Sequence, residues 1–482
     1  MGQLPQLGVS VDDMYPTNKA EYDINDTWEC STVVSHVCSR WRKCALKTPS
    51  LWNRIFWDGG SWDKAATWVA RSRAAKLEID LFLLGDANAD GTNEQITKAL
   101  FILIPHLPRW YSVDIKFRTY VGLFQVLEAL QGKAAPELRR LVFSCAGGEG
   151  YDEAMFPPMS LLDGPGSAPK LQSVTLWSTP MSLSDVPWNP SLMSRLDLAY
   201  SPEGMYLCKL ELLSILTIFQ IPVEWMPPRS HLPQILNSFT NLRYLYLSSF
   251  GCIWDPSDAI PEDSILLPNV QYISFHLFER SQPLEQLIRC LKTPALKHLN
   301  LEDLFDADGL QADHADFAPT LTVLSRRIKA MSLELEKVAI LNVYTSTREA
   351  LVNLFKSFRK VKHIHFSIQS IYPFDSPYID LLGPLRPGFS LPVKLVKLCP
   401  NVETLAFSGF DGTVLTNIAL QFYVAGRQLK KMWYSGMDDV DEDQLSALKG
   451  TVVEVLKTDE IELDSELGAG DSEDDWEDVV SD

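Results

Sequence analysis

The residues best suited to metal chemistry are two histidines, His363 and His365, which occupy alternate positions of the segment VKHIHF. Alternate side chains of a strand share one face, so this pair provides two of the nitrogen ligands that a zinc site needs. No carboxylate or thiol partner can be placed beside the pair from the sequence. Two histidines that face solvent are therefore the preferred interpretation, and no metal is expected.

Other signatures of catalysis or cofactor binding are weak or missing in the sequence. The segment GGEG at 147–150 resembles a phosphate-binding loop only in its glycines, because no Lys-Ser or Lys-Thr pair follows it. No dinucleotide fingerprint, nucleophile elbow or paired-histidine zinc helix is present. The eight cysteines are scattered without a C-x-x-C pair, which is typical of free thiols in a reducing compartment. We expect a protein that binds others, neither an enzyme nor a cofactor carrier.

The negative charge is concentrated at the C-terminal end. Residues 459–482 contain 12 acidic residues and no Lys or Arg, which leaves −7 of the total −19 for the rest of the chain. This body shows no basic surface for nucleic acid, and no stretch is apolar enough for a membrane span. We expect residues 458–482 to be a disordered acidic tail. An alternative is that Trp476 anchors a short motif on a basic partner.

The chain begins without a basic region followed by an apolar one, and Gln6 stands where a myristoylation signal needs Ser or Thr. These features predict neither secretion nor a lipid anchor. We therefore expect a cytoplasmic or nuclear location, or both.

One short motif, apolar-x-x-apolar-x-apolar, recurs from residue 138 to residue 434 at intervals of about 20 to 40 residues. Its eleven copies are LRRLVF (138–143), LQSVTL (171–176), MSRLDL (193–198), LSILTI (213–218), LRYLYL (242–247), VQYISF (270–275), LKHLNL (296–301), IKAMSL (328–333), VKHIHF (361–366), VETLAF (402–407) and LKKMWY (429–434). Such a period is typical of leucine-rich repeats, in which each copy forms a strand parallel to the next.

Segments between the motifs, such as HLPQILNSF and QPLEQLIRCLKT, have helical spacing. The expected fold class is therefore α/β, an irregular leucine-rich-repeat solenoid with parallel strands on its concave side. An ordinary α/β sheet with alternating strands and helices is the alternative.

Strand alternation assigns the motif residues to two faces. The first, fourth and sixth residues point into the core, so the third and fifth point to the concave face. This rule gives a set of candidate target-binding residues that is rich in Tyr and Arg, which are common where proteins bind proteins. The set is Arg140, Thr175, Arg195, Asp197, Tyr244, Tyr246, Tyr272, His298, Asn300, His363, His365, Thr404, Lys431 and Trp433. The alternative is that insertions or the tail cover some of them.

Before the repeats, one amphipathic helix is predicted. Its apolar stripe at helical spacing consists of Val34, Val37, Cys38, Trp41 and Ala45. Pro49 ends the helix, so Leu51, Trp52, Ile55 and Phe56 are expected to pack back. A second helix from Ser61 to Arg73 and a strand from Lys76 to Leu83 follow.

The run VVSHVCSRWRKCALKTPSLW, residues 33–52, resembles the C-terminal half of an F-box, in the version common among fungal F-box proteins. In that version V-C-x-x-W-R leads into T-P-x-L-W. The segment WVARSRAAKLEIDL, residues 68–81, resembles the connector between the box and a repeat domain in the same family. The family's first helix begins with an L-P-x-E-I-L pattern, for which this chain has only LPQL at 4–7.

The resemblance implies a function and two protein partners. F-box proteins dock on the small adaptor of a cullin-RING ubiquitin ligase, and the domain behind the box captures the substrate. The chain would thus be the substrate-recognition subunit of an SCF-type ligase, with an unknown protein target. The implied adaptor contacts are Val34, Val37, Cys38, Trp41, Leu46, Leu51 and Trp52. The alternative is a non-catalytic leucine-rich-repeat interaction module without ligase docking, in which the helix caps the repeats.

Four regions are expected along the chain. They are an irregular N-terminal segment (1–27), a partial F-box-like helical segment (28–58), a connector helix with the repeat domain (61–457) and the tail (458–482). Gly- and Pro-rich insertions are predicted at 146–169, 250–267 and 371–391. Each is either a recognition loop or a tolerated surface insertion.

Overall fold

The computed structural model describes most of the chain between residues 30 and 457. The described ranges are 30–59, 61–83, 91–145, 159–160, 168–177, 181–182, 193–199, 213–219, 232–248, 261–277, 282–303, 316–343, 345–367, 395–410, 412–435 and 440–457. The chain divides into two compact units, residues 1–243 with 250–253 and residues 244–249 with 254–482. The N-terminal segment 1–27, the LPQL sequence, the tail and most of the three predicted insertions lie outside the described residues.

The first unit has six described helices, α1 (Cys30–Val37), α2 (Ser39–Lys47), α3 (Trp62–Ser72), α4 (Gly91–Leu103), α5 (Tyr120–Leu130) and α6 (Leu232–Asn237), with 3-10 turns at Pro49–Trp52 and Ile104–Arg109. Its described strands are β1 (Arg54–Trp57), β2 (Leu77–Leu83), β3 (Trp110–Phe117), β4 (Arg140–Cys145), β5 (Met159–Ser160), β6 (Ser173–Trp177), β7 (Met181–Ser182), β8 (Arg195–Ala199) and β9 (Ile215–Phe219). The strands β1-β2-β3-β4-β6-β8-β9 form a parallel sheet in this order, and β5 pairs with β7.

The second unit repeats this plan. Its described strands are β10 (Tyr244–Ser248), β11 (Ile265–Leu266), β12 (Tyr272–Leu277), β13 (Leu291–Lys292), β14 (His298–Asp303), β15 (Lys337–Leu341), β16 (His363–Ser367), β17 (Thr404–Ser408), β18 (Lys431–Ser435) and β19 (Glu454–Lys457). The helices are α7 (Gln282–Cys290), α8 (Ala318–Ala330), α9 (Arg348–Phe355), α10 (Leu395–Leu398), α11 (Gly412–Val424) and α12 (Glu442–Thr451). The strands β10-β12-β14-β15-β16-β17-β18-β19 are parallel neighbours in this order.

The α/β class and the parallel strands are confirmed. Ten of the eleven motif copies form a strand that begins at the third motif residue. The first motif residues, such as Leu138, Leu242 and Val361, are buried, as are the fourth residues. In the second unit the sixth residues build an aromatic core, where the rings of Phe366 and Phe407 stack with their centroids 5.7 Å apart. Apolar burial on one side of each strand therefore holds each sheet against its helices.

The copy IKAMSL at 328–333 was wrongly predicted to be a strand. Ile328 lies near the end of α8, where it is buried together with Leu321 and Leu324 at helical spacing. The strand of this repeat is β15, and the segment that fits the motif is LEKVAI at 335–340. The shift places Lys337 and Ala339, instead of Ala330 and Ser332, at the third and fifth positions.

The single helix predicted across residues 34–45 is also wrong, because two helices meet at Cys38. The backbone of Cys38 is extended, with φ −158° and ψ 170°, and caps α2 without a side-chain hydrogen bond. The Arg42 side chain holds the corner by donating from Nε to the Ser35 carbonyl at 2.8 Å.

The connector follows the prediction closely. The Ser61 hydroxyl caps α3 by accepting from the Asp63 amide, and the helix ends at Ser72. The strand β2 follows with strict alternation of buried and partly exposed residues. The strand β1 was not predicted, and it pairs in parallel with β2 at the start of the sheet.

Candidate protein-binding surfaces

The F-box-like segment is anchored to the first unit by Trp52, which is 1% exposed. Its indole Nε1 donates to the Ala45 carbonyl at 2.7 Å, and the Arg71 guanidinium lies 4.4 Å from the ring centroid. Trp52 was predicted to contact an adaptor. Because its side chain fills the core between α2 and α3, it supports the fold and has no surface left for a partner.

Around this anchor, large apolar side chains remain exposed. Val37 is 58% exposed and Trp41 is 51% exposed, and Val33, Leu46 and Leu51 are exposed as well. Cys38 is exposed between them, and Val34 is partly exposed. Exposed apolar residues clustered in one segment are typical of interaction sites. We call Val33, Val37, Trp41, Leu46 and Leu51 the apolar patch.

In the second unit, the third and fifth motif residues form the sheet face opposite the buried one. We call the side chains of Tyr244, Tyr246, Tyr272, Ser274, His298, Asn300, Lys337, Ala339, His363, His365, Thr404, Ala406, Lys431 and Trp433 the open face. The register places them in two rows across the strands, His298–Lys337–His363–Thr404 in one and Asn300–Ala339–His365–Ala406 in the other. The predicted residues of β10 to β18 are therefore brought together.

Tyrosines occupy the β10 end of the open face. The Tyr272 ring centroid lies 5.0 Å from that of Tyr246 and 6.2 Å from that of Tyr244, and 6.3 Å from the His298 imidazole. All four side chains are partly exposed. The rings offer a broad apolar platform with polar edges, of the kind that anchors protein interfaces.

His365 was predicted to face solvent, and this prediction is wrong. The side chain is 5% exposed, because the row places it between the small residues Ala339 and Ala406. Its Nε2 lies 3.4 Å from the Ser408 hydroxyl, whereas Nδ1 has no hydrogen-bond partner among the described residues. Burial lowers the pKa of His365 to about 3, so the imidazole is neutral at pH 7.

The neighbouring histidines are also neutral at pH 7. Burial, followed by the charge of Lys337, lowers the pKa of His298 to about 4. The pKa of His363 is lowered by the same two causes, and its Nδ1 bonds to the Thr404 hydroxyl. Thr404 was predicted to face outward, but this hydrogen bond and the neighbouring side chains bury it.

Lys337 was missed by the sequence analysis, although LEKVAI fits the motif as well as IKAMSL does. It lies directly between His298 and His363 in the row. Its amine has no ion pair or hydrogen bond within the part of the chain that the structure describes. Burial lowers the pKa of Lys337, and the charge of Glu336 acts in the opposite direction. At the other end of the face, the Lys431 amine lies 5.3 Å from the Trp433 ring centroid and pairs with Glu454.

In the first unit the corresponding face carries charged pairs. Arg140 is exposed and lies 3.6 Å from Asp114, and Arg54 lies 3.7 Å from Asp80. Burial, and then the charge of Asp114, raises the pKa of Asp80 to about 6. The remaining predicted residues are on β6 and β8. Thr175 is partly exposed, Arg195 is exposed, and the side chain of Asp197 lies outside what the structure describes.

Neither a metal cluster nor a membrane helix is found in the described ranges. No group of three or more His, Cys, Asp or Glu side chains is arranged there to hold a metal ion. No helix in these ranges is both long enough and apolar enough to cross a membrane.

Comparison of the chain with known protein families finds no matching family, and comparison with curated proteins finds no match either.

Proposed function

We propose that the chain is the substrate-recognition subunit of an SCF-type cullin-RING ubiquitin ligase. The apolar patch docks on the adaptor, and the open face of the second unit holds the protein target. The observation that carries the proposal is the exposure of Trp41 and its apolar neighbours within the stretch that resembles an F-box. Such a subunit catalyses nothing itself and acts by holding a target at high effective concentration.

The proposal includes the identity of the repeats as irregular leucine-rich repeats. Ten motif copies form strands, and each strand pairs with the next one along the chain in its unit. A period of about 20 to 40 residues with buried first, fourth and sixth residues supports this assignment. Tyr, His and Trp side chains on the open face support its role as the capture surface.

A second candidate function is a protein-interaction module without ligase docking. The pairing of β1 with β2 favours it, because the F-box-like segment contributes the first strand of the sheet. In that case the segment covers the end of the sheet and needs no adaptor. The two functions differ in whether the apolar patch binds anything.

Co-purification with the adaptor separates the two. We expect the wild-type chain to retain the adaptor and Trp41→Asp to lose it, because the change replaces the largest exposed apolar side chain of the patch with a charged one. Lys43→Asp is the matched control. Lys43 lies two residues after Trp41 on α2, so its side chain points to the opposite side of the helix. This variant should retain the adaptor.

Circular dichroism must show the same helix content for Trp41→Asp as for the wild-type chain, because Trp41 is exposed. Failure of the folded wild-type chain to retain the adaptor, under conditions in which an intact F-box protein does, would rule out the ligase function.

A further inference from the structure

The exposed side of α2 carries a row of cations. Arg40, Lys43 and Lys47 follow one another at intervals of three and four residues, so their side chains share the side of the helix opposite to the buried Ala45. All three are exposed. None of their side chains forms an ion pair or a hydrogen bond with another residue that the structure describes. We call Arg40, Lys43 and Lys47 the basic stripe.

The charges of this part of the chain are segregated by sign. Residues 30–57 contain no Asp or Glu, although acidic residues outnumber Lys and Arg by 62 to 43 in the whole chain. Lys43 and Lys47 repel each other, as like charges four residues apart on a helix do. Arg40 lies in the first turn of α2, where the helix dipole disfavours a cation. An anionic partner would relieve both effects by neutralising the stripe.

Apolar side chains lie on both sides of the basic stripe. Around the helix, Leu46 lies on one side of the stripe and Trp41 on the other, and both are exposed. Cations beside exposed tryptophan and leucine are typical of helices that lie in the plane of a membrane surface. The cations attract anionic headgroups there, while the apolar side chains enter the boundary with the acyl chains. Nucleic-acid phosphates would neutralise the cations but leave Trp41 and Leu46 in water.

We infer that the basic stripe binds anionic phospholipid at a membrane surface. The total charge of −19 does not prevent this, because charges more than about 8 Å away are largely screened at physiological ionic strength. Contact with a bilayer is therefore governed by the charges nearest to it. The inference goes beyond the proposed function. Trp41 and Leu46 also belong to the apolar patch, so an adaptor and a membrane compete for these two side chains.

Co-sedimentation of the full-length chain with lipid vesicles tests the inference. We expect binding to vesicles of phosphatidylcholine with about 30% phosphatidylserine, and binding weaker by about tenfold or more to vesicles of phosphatidylcholine alone. Lys43→Gln with Lys47→Gln should weaken binding to the phosphatidylserine vesicles by about ten- to thirtyfold, because two cations of the stripe are lost. Raising the salt concentration from about 0.1 M to about 1 M should weaken wild-type binding, since screening becomes stronger.

Lys98→Gln with Lys133→Gln is the matched control, because it removes two exposed cations from α4 and from the turn after α5 in the same unit. It changes the total charge by the same amount and should bind vesicles like the wild-type chain. Equal vesicle binding by the two double variants would overturn the inference. Equal binding of the wild-type chain to both kinds of vesicle would overturn it too.

A soluble polyglutamate peptide distinguishes a lipid surface from an acidic protein. At the same concentration of negative charge it should bind about tenfold less tightly than the phosphatidylserine vesicles, because it offers no apolar layer to Trp41 and Leu46. Equal affinity would assign the stripe to an acidic protein and overturn the inference. Lys43→Gln with Lys47→Gln should still retain the adaptor, so a failure of lipid binding and a failure of ligase docking are distinguishable.

Discussion

Replacing Trp52 with alanine is expected to lower the free energy of unfolding by about 3 to 5 kcal/mol, the usual cost of truncating a fully buried aromatic side chain. The change removes the ring from the core of the first unit, together with the hydrogen bond from Nε1 to the Ala45 carbonyl. The Arg71 guanidinium also loses the ring on which it lies. Urea unfolding followed by circular dichroism measures the effect.

Trp41→Ala is the matched control, because it makes the same change eleven residues earlier in the same F-box-like run. Its side chain is 51% exposed, so we expect a change within about 1 kcal/mol. Comparing the two variants distinguishes Trp52, whose burial stabilises the segment, from Trp41, whose side chain is exposed on its surface. Equal losses of stability for Trp41→Ala and Trp52→Ala would contradict the structural account of the apolar patch.

His365 is expected to contribute a loss of stability of about 2 kcal/mol between pH 7 and pH 5. The unfolded chain protonates this histidine near its ordinary pKa of 6.5, whereas burial lowers the folded-state pKa to about 3. The unfolded state therefore binds more protons between these values. The stabilisation is complete above pH 6.5 and is lost as the pH falls toward 3.

Urea unfolding of the wild-type chain and of His365→Gln at both pH values isolates this contribution. The variant should lose about 2 kcal/mol less than the wild-type chain between pH 7 and pH 5, whatever its stability at pH 7. His36→Gln, at an exposed position of α1, should behave like the wild-type chain. A pH dependence of His365→Gln equal to that of the wild-type chain would show that His365 is accessible to protons in the folded state.

The ten strands at motif copies could be predicted because each copy combines two independent signals, whereas strands without a motif copy, such as β1 and β3, were not predicted. Alternation selects a strand, and the first apolar residue marks where the chain turns into it, as with Leu296 before β14. The prediction of a strand at IKAMSL was wrong because the helical pattern of apolar residues overlapped the strand motif there. Ile328 belongs to the helical series of Leu321 and Leu324, and its spacing to Met331 and Leu333 mimicked the motif by coincidence.

The surfaces were harder to predict than the strands. Trp41 and Trp52 belong to the same stretch of sequence, yet Trp41 is exposed and Trp52 is buried. Trp52 is covered by side chains such as Arg71 of α3, which comes later in the sequence. The burial of His365 depends on Ala339 and Ala406, which come from neighbouring strands far away in sequence. The break at Cys38 has no Gly or Pro to mark it. The alternation of side chains along a strand predicts which face of the sheet a residue is on, but the residues of neighbouring strands determine how exposed it is.

Hydrogen exchange of the full-length chain, with and without the ligase adaptor, tests most directly whether the apolar patch is a docking surface. We predict slower exchange of amides in Cys30–Val37 and Ser39–Lys47 when the adaptor is bound, because docking covers both helices. Strands β12 to β18 should be unchanged. Adaptor binding that leaves the exchange of these two helices unaltered would contradict the account.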